Sequence, residues 1–423
     1  MISLTSAAII AACALAVPLL LRLTRLRVPE VVAQILVGIV IGPQVLSWAK
    51  VDEPVHVLSI IGLGFLLMLA GLEINLSELR GRLLRLTALG YIVSFAIALA
   101  VGFAFVPAGF VRSPVLLAVI LSATSLGIIL PVLKDAGQID SPFGRVVVAG
   151  ASIAEVVPIV LLSVLFSSSG ATIGAQLGLF VAFLALIVAI FLAISRLERA
   201  PLLARAVTAL QDTTAQIRVR GAFALLMLFA ALAAVLGLEI ILGAFLAGIV
   251  LRLVDRDEEH NSHALFRPKL QGVGFGVFIP FFFISTGMML DVRSLFSDLS
   301  TLARVPVFIV ALLLIRAVPA LIYRPLAQSR GQLVAAGLLQ ATSLSIPVVA
   351  GQIGVDLGLI LPANYVALVA AGLISVILFP LIALPRLVAS PRRARGVRGA
   401  RGVTPLPPPS TDEPTPPGNS SAI

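Results

Sequence analysis

Leu121–Ile128 reads LSATSLGI, and Leu339–Ile346 reads LQATSLSI. Six of the eight positions agree, at an offset of 218 residues. Two further matches fall in the same order. LVGIV at 36–40 pairs with LAGIV at 246–250, an offset of 210. GLEINLSEL from Gly71 pairs with GMMLDVRSL from Gly287, an offset of 216, keeping an amide or carboxylate at Asn75 and Asp291. One short match means little in so apolar a chain; three at nearly one offset describe a duplication. The offset corresponds to seven of the apolar segments below, an odd number, so the two halves cross a membrane in opposite senses. Inverted repeats of this kind build several membrane-protein folds, with the working site near mid-depth where the repeats meet.

The membrane assignment follows from composition. Of 423 residues, 59% are hydrophobic and 12% charged, with a mean hydropathy of +1.12, whereas soluble domains carry about 25% charge. Apolar segments of membrane-spanning length recur along the chain. Thirteen spans are expected near 4–21, 30–48, 56–74, 86–106, 114–133, 144–167, 172–194, 219–236, 238–254, 270–290, 303–323, 331–353 and 362–385. The eighth and ninth are separated only by Gly237 and Leu238. No cleavable leader is evident, so the first span is expected to be retained.

The net charge of +10 does not indicate nucleic acid, because the basic residues are spread over short loops where they set orientation. With the N-terminus outside, 25 of the 30 Lys and Arg fall in inside segments and four outside, with Arg316 left within a span. A missed helix would scramble that alternation. The reading is therefore a multi-pass cell-membrane protein with the N-terminus outside and the C-terminus cytoplasmic. Residues 1–389 form the membrane domain, with repeats over roughly 28–167 and 238–385. Residues 390–423, basic and then rich in Pro and Ser, cannot build a core and read as a disordered tail.

The single cysteine, Cys13, excludes a disulfide framework. His260 and His263 form HxxH in a charged loop and read as plain loop residues rather than metal ligands. No HExxH, GxSxG or intramembrane aspartate pair marks an enzyme, and nothing calls for a cofactor.

Two charges lie deep in apolar spans. Glu155 is the acidic residue of VAGASIAEVVPIVLLS, 148–163, with Ser152 and Ala154 beside it and Pro158 three residues on. A carboxylate at mid-membrane costs about 2.5–3.5 kcal/mol on insertion scales, so its default reading is functional, here a proton and cation site. The structural alternative is a buried, protonated or paired glutamate. Arg316 lies twelve residues past Arg304 and eight short of Arg324, too deep to reach either interface easily. It stays charged and needs a partner. Glu155 is the natural one; the unwound carbonyl end of a broken helix is the other. Its role is a strut, competition with a transported ion, or both.

The repeated octapeptide suits broken helices, because Thr and Ser side chains satisfy backbone groups freed near Pro131 and Pro347. Two such helices crossing bring two positive N-termini and two negative C-termini near one point. Thr124, Ser125, Thr342 and Ser343 are therefore candidates for an ion path, with ordinary interhelical hydrogen bonding as the plainer role.

VPEVVAQILVGIVIGP (28–43), LGFLLMLAGLEINLSEL (63–79), LSATSLGIILPVLKDAG (121–137), LGAFLAGIVL (242–251) and IPFFFISTGMMLD (279–291) together resemble the monovalent cation:proton antiporter-2 family, which includes Kef-type potassium exporters and thirteen-span bacterial sodium/proton antiporters. The resemblance covers about residues 5–385. It implies an all-α sodium/proton-antiporter-like fold with two crossed broken helices, here spans 5 and 12, and a separate dimerisation domain, hence a homodimer. It implies exchange of sodium or potassium for protons across an inner membrane, with no metal beyond the transported ion. Arg316 fits the basic residue the family places in a late core helix. Where members carry paired aspartates, Asn-Asp or Gln-Asp, this chain has Ala154-Glu155. Two rivals stand beside this expectation: a same-fold exporter of an organic solute, and a non-transporting membrane partner protein.

Overall fold

The computed structural model describes residues 4–24, 29–74, 81–139, 141–166, 173–198, 216–256, 266–290, 293, 299–327 and 329–388. The tail from 390, the HxxH loop, and Asn75 and Asp291 lie outside them. Helices account for nearly all of the described residues. The first four are α1 (Thr5–Thr24), α2 (Glu30–Ile41), α3 (Glu53–Glu73) and α4 (Gly81–Phe105). The fifth span is broken into α5 (Pro114–Leu121) and α6 (Leu126–Asp135). Then come α7 (Pro142–Leu165), α8 (Ile173–Glu198), α9 (Ile217–Val235) and α10 (Ile240–Arg256). The tenth span is α11 (Phe266–Val273) and α12 (Ile279–Met289), joined by a π turn at Gly274–Phe278. The eleventh is α13 (Leu299–Ala317), followed by a 3₁₀ turn at Pro319–Tyr323. The twelfth is broken into α14 (Arg330–Gln340) and α15 (Ser345–Asp356), and α16 (Pro362–Val388) completes the set.

Ten helices among the described residues are long and apolar enough to cross a membrane, and three shorter apolar ones, Glu30–Ile41, Pro114–Leu130 and Ile240–Val254, bring the apolar segments to the expected thirteen. Their ends are set by local chemistry. Ser113 and Ser141 each precede a proline at the first helical position and accept from the N–H groups of Leu116 (3.2 Å) and Gly144 (2.9 Å), a favoured N-cap arrangement. Asp52 caps α3 through Val55 N–H at 3.2 Å, and Ser329 caps α14 through Gln332 N–H at 3.1 Å. The soft boundary between spans 8 and 9 is a tight helix end: Gly237 takes φ +70°, and Gly237 and Leu238 donate back to Ala234 and Ala233.

Three prolines bear on the helix ladder, since proline cannot donate to the carbonyl four residues back, and two of them stand at departures from α-helix. Pro280 cannot donate to Gly276 O beside the π turn, where Ile279 N–H reaches Gly274 O. Pro319 deprives Ile315 where α13 gives way to the 3₁₀ turn. Pro158 deprives Ala154 within α7.

The helices pack as two bundles. One comprises α1–α3 and α9–α12, with α3 against α10 and α2 against α12 as its main contacts. The other comprises α4–α7 and α13–α16, with α16 lying along α13 and α14. Helix α7 touches α10 across the seam. The α3–α10 contact is backbone against backbone: a Cβ on Gly71 would lie 2.2 Å from Phe245 O, and one on Gly248 1.9 Å from Met68 O.

Candidate functional site

The two breaks, Ser122–Ser125 and Ala341–Leu344, face each other. The N–H of Ser125 donates to Thr342 O at 2.9 Å, and Ser125 Oγ accepts from Leu344 N–H at 3.1 Å. The repeated octapeptides therefore meet, each serving the other's unpaired backbone. Thr124 N–H reaches Ala154 O at 3.2 Å, filling the vacancy that Pro158 creates in α7. The carbonyl that Pro158 leaves free and the crossing are one construction.

Arg316, 4% exposed, comes from the end of α13. Its Nε donates to Thr124 Oγ1 at 2.9 Å and to Gln340 O at 3.2 Å. Its Nη1 donates to Ser94 Oγ at 2.9 Å, and its Nη2 to Gln340 Oε1 at 2.5 Å. Gln340 is the last residue of α14, so the guanidinium sits at the negative end of a broken helix. The expected Glu155 partnership is not found: Arg316 takes the alternative, an unwound carbonyl end. Gln340 supplies an aligned acceptor pair there, and a guanidinium with five fixed donors suits it better than one distant carboxylate.

Glu155 lies at the complementary place. It is 6% exposed, and the backbone N–H of Leu126, first residue of α6, hydrogen bonds to its carboxyl group. The carboxyl thus meets the positive end of a broken helix. Its Oε2 is fully buried without a hydrogen-bond partner. By the repeat, Leu126 corresponds to Leu344, which a serine hydroxyl caps. The serine that would cap Leu126 is Ser343, and its Oγ is buried and unpartnered. Glu155 has displaced a hydroxyl from the symmetric role.

The remaining candidates are less directly engaged. Thr124 Oγ1 donates to Gln340 O at 2.5 Å, whereas Thr342 Oγ1 turns back to Leu338 O at 3.2 Å in its own helix. Ser343 N–H is received by Ser375 Oγ at 3.3 Å. Ser152 Oγ bonds Val148 O at 3.0 Å within α7, and Ala154 contributes its carbonyl. Sequence reasoning missed Gln340, Ser94 and Ser375. The signal for Gln340 was present: it faces Ser122 in the aligned octapeptides, the one position where two different polar residues stand.

Between the bundles lies a cavity of about 420 Å³, lined in part by His56, Glu239, Thr286, Gln352, Asp356 and Tyr365. It reaches the ends of α3, α10 and α15 that lie away from Glu73 and Arg252, and Glu155 does not line it.

Residues 9–388 match the family model described as sodium/hydrogen exchanger, transmembrane. The chain is 30% identical over 394 residues to the putative Na(+)/H(+) antiporter YjbQ of Bacillus subtilis, covering 90% of this chain and 62% of that protein. It is 28% identical over 379 residues to the probable Na(+)/H(+) antiporter 3 of Methanocaldococcus jannaschii, covering 86% of this chain and 92% of that one. The solved structure of the sodium proton antiporter MjNhaP1 from Methanocaldococcus jannaschii at pH 8 superposes with a TM-score of 0.64 over 91% of this chain and 98% of that chain, at 16% identity, a likeness of fold.

Proposed function

The chain belongs to the sodium/hydrogen exchanger family, and from that premise we propose that it exchanges a monovalent cation, sodium or potassium, for protons by alternating access. It is a multi-pass membrane protein. The observation that carries the reading is Glu155: a deeply buried carboxyl at a broken-helix N-terminus, with one oxygen unpartnered. Such an oxygen binds either a proton or a cation. Each neutralises the carboxylate, and only the neutral site crosses the apolar barrier without a large desolvation cost. Competition for one group is then the coupling.

Thr124 and Arg316 hold the crossing in register, and Ser343, with its unpartnered Oγ, is a further oxygen for the ion. Ser125 and Thr342 act through the backbone bond that joins the two breaks. The cavity between the bundles, with Glu239 and Asp356 on its wall, supports entry along the seam, where carboxylates concentrate cations. Orientation is read as N-terminus outside from the Lys and Arg distribution. The reading extends to residues 1–389 as the membrane domain, to repeats over 28–167 and 238–385, and to a homodimer, the last by the family's pattern.

The test is reconstitution in liposomes containing a pH dye. An imposed proton gradient is followed on adding Na⁺, K⁺, Li⁺ or Rb⁺, for wild type and Glu155→Gln. Dissipation by one of these ions, abolished by the substitution, is expected. Silence from folded wild-type protein would overturn the reading.

A further inference from the structure

We propose that the groove between α8 and the α9–α10 pair is a binding site for an anionic phospholipid, with the lipid phosphate on Arg218 and Arg220 and an acyl chain lying against α8, α9 and α10. The site is independent of the exchange chemistry at Glu155.

The groove exists because α8 stands off from its neighbours. This helix joins the two bundles in sequence, running from α7 to α9. Its apolar stretch, Gly174–Ile194, is 11% buried, against 67% for α7. It touches α7, α9 and α10, yet leaves a cavity of about 640 Å³ beside the last two. Ligand pockets run from about 300 to 1,000 Å³. Ile190 and Ile194 of α8 form one wall; Leu225 and Leu228 of α9, with Leu251 and Val254 of α10, form the other. Branched aliphatic walls of this kind accept hydrocarbon and penalise polar groups.

The first turn of α9 changes the chemistry. Arg218 and Arg220 line the same cavity there, and no acidic side chain stands among its described lining residues. Gln216, the N-cap of α9, makes no side-chain cap bond, so the positive end of a 19-residue helix adds to the two guanidinium groups. Guanidinium forks suit phosphate oxygens. On the proposed orientation this end faces the cytoplasm, where basic pockets between spans meet anionic headgroups.

One class of molecule satisfies both halves. Free phosphate would serve the arginines and leave the aliphatic walls unfilled. A neutral lipid would fill the walls and leave the arginines without a counter-charge. An anionic phospholipid supplies phosphate and hydrocarbon in the order in which α9 presents arginine and leucine.

Gly221 allows the two halves to be tested apart. It lines the cavity, and a Cβ built on it meets nothing within 4 Å. Gly221→Leu therefore fills hydrocarbon space without touching the charges, and leucine is the better helix former. The full chain in detergent is titrated with phosphatidylglycerol, phosphatidylcholine or inorganic phosphate. Bound lipid is counted by native mass spectrometry, and the thermal unfolding midpoint is followed in parallel. Phosphatidylglycerol is expected to reach half-occupancy at a concentration lower by about tenfold or more than phosphatidylcholine. Gly221→Leu, and Arg218→Gln with Arg220→Gln, are each expected to raise the phosphatidylglycerol value by about tenfold or more. Arg82→Gln with Arg145→Gln, which removes two arginines from a different groove, is expected to leave it unchanged. Equal occupancy by the two lipids would overturn the proposal, as would unchanged phosphatidylglycerol binding in Gly221→Leu. An equal loss in the Arg82 and Arg145 variant would reduce the effect to general surface charge and overturn it too. A midpoint shift by inorganic phosphate as large as that by phosphatidylglycerol would assign the arginines to a soluble anion instead. Should the Arg218 and Arg220 variant fail to fold, Gly221→Leu decides.

Discussion

Arg316 donates twice to Gln340, to its main-chain oxygen at 3.2 Å and its side-chain oxygen at 2.5 Å. The two deeply buried charged side chains of the crossing are thus held separately, each at one end of a different broken helix. Neutralising Glu155 leaves every partner of Arg316 in place, so Glu155→Gln is expected to unfold near the wild-type midpoint. Arg316→Gln strands Thr124, Ser94 and Gln340 and is expected to cost about 3–5 kcal/mol, as removal of one member of a buried charged network does. Denaturant or thermal unfolding in detergent separates the two; equal losses would mean that the charges support one another after all.

The two threonines of the repeat are not equivalent in place. Thr124 Oγ1 receives Arg316 and gives to Gln340 O, whereas Thr342 Oγ1 bonds only Leu338 O in its own helix. Thr124→Val is expected to destabilise by about 1.5–3 kcal/mol, the range for bonds to charged groups, and Thr342→Val by about 1 kcal/mol or less. Similar values for both would contradict the asymmetry.

Pro158 frees Ala154 O for Thr124 N–H. Pro158→Ala restores a helical donor that competes for the same carbonyl. The expected outcome is an α7 no less stable and an exchange turnover lower by about tenfold, equivalent to about 1.4 kcal/mol on the barrier. Turnover equal to wild type would show that the contact has no part in movement.

On the proposed reading, proton and cation compete for Glu155. Once the medium is acidic enough to protonate that carboxyl, the half-saturating cation concentration should rise about tenfold per pH unit, as for any ligand displaced by one proton. The maximal rate with saturating cation should change far less. The check is a set of cation titrations across pH in liposomes. A half-saturating concentration independent of pH would exclude competition at a single group.

One carboxyl trading one cation for one proton moves no net charge, so exchange should not respond to a potassium-diffusion potential set with valinomycin (for a non-potassium substrate), although each unbalanced charge would feel about 2.3 kcal/mol per 100 mV. A potential-driven flux would require a second group that changes protonation during the cycle.

Much of this architecture was legible in the sequence because membranes simplify the code. Apolar length fixed the thirteen segments, and the octapeptide repeat located both helix breaks to within a few residues. Glu155, Thr124, Ser125 and Arg316 stood out because polar atoms in an apolar span must be satisfied. Their pairing did not stand out. Arg316 had two chemically sound partners, and the choice depended on where α14 ends and which way Gln340 points. The π turn before Pro280 and the 3₁₀ turn after Arg316 were equally silent, since proline announces a break without specifying its form.

The anchoring of Arg316 on Gln340 has an evolutionary consequence. Arg316, which fixes the crossing, and Glu155, the residue proposed to carry the ion, share no bond, so side-chain changes at positions 154 and 155 leave the partners of Arg316 in place. Ion preference is free to drift through the side chains around one carboxyl while the fold stays under separate selection, and a lineage can exchange one substrate for another without passing through an unfolded intermediate generation.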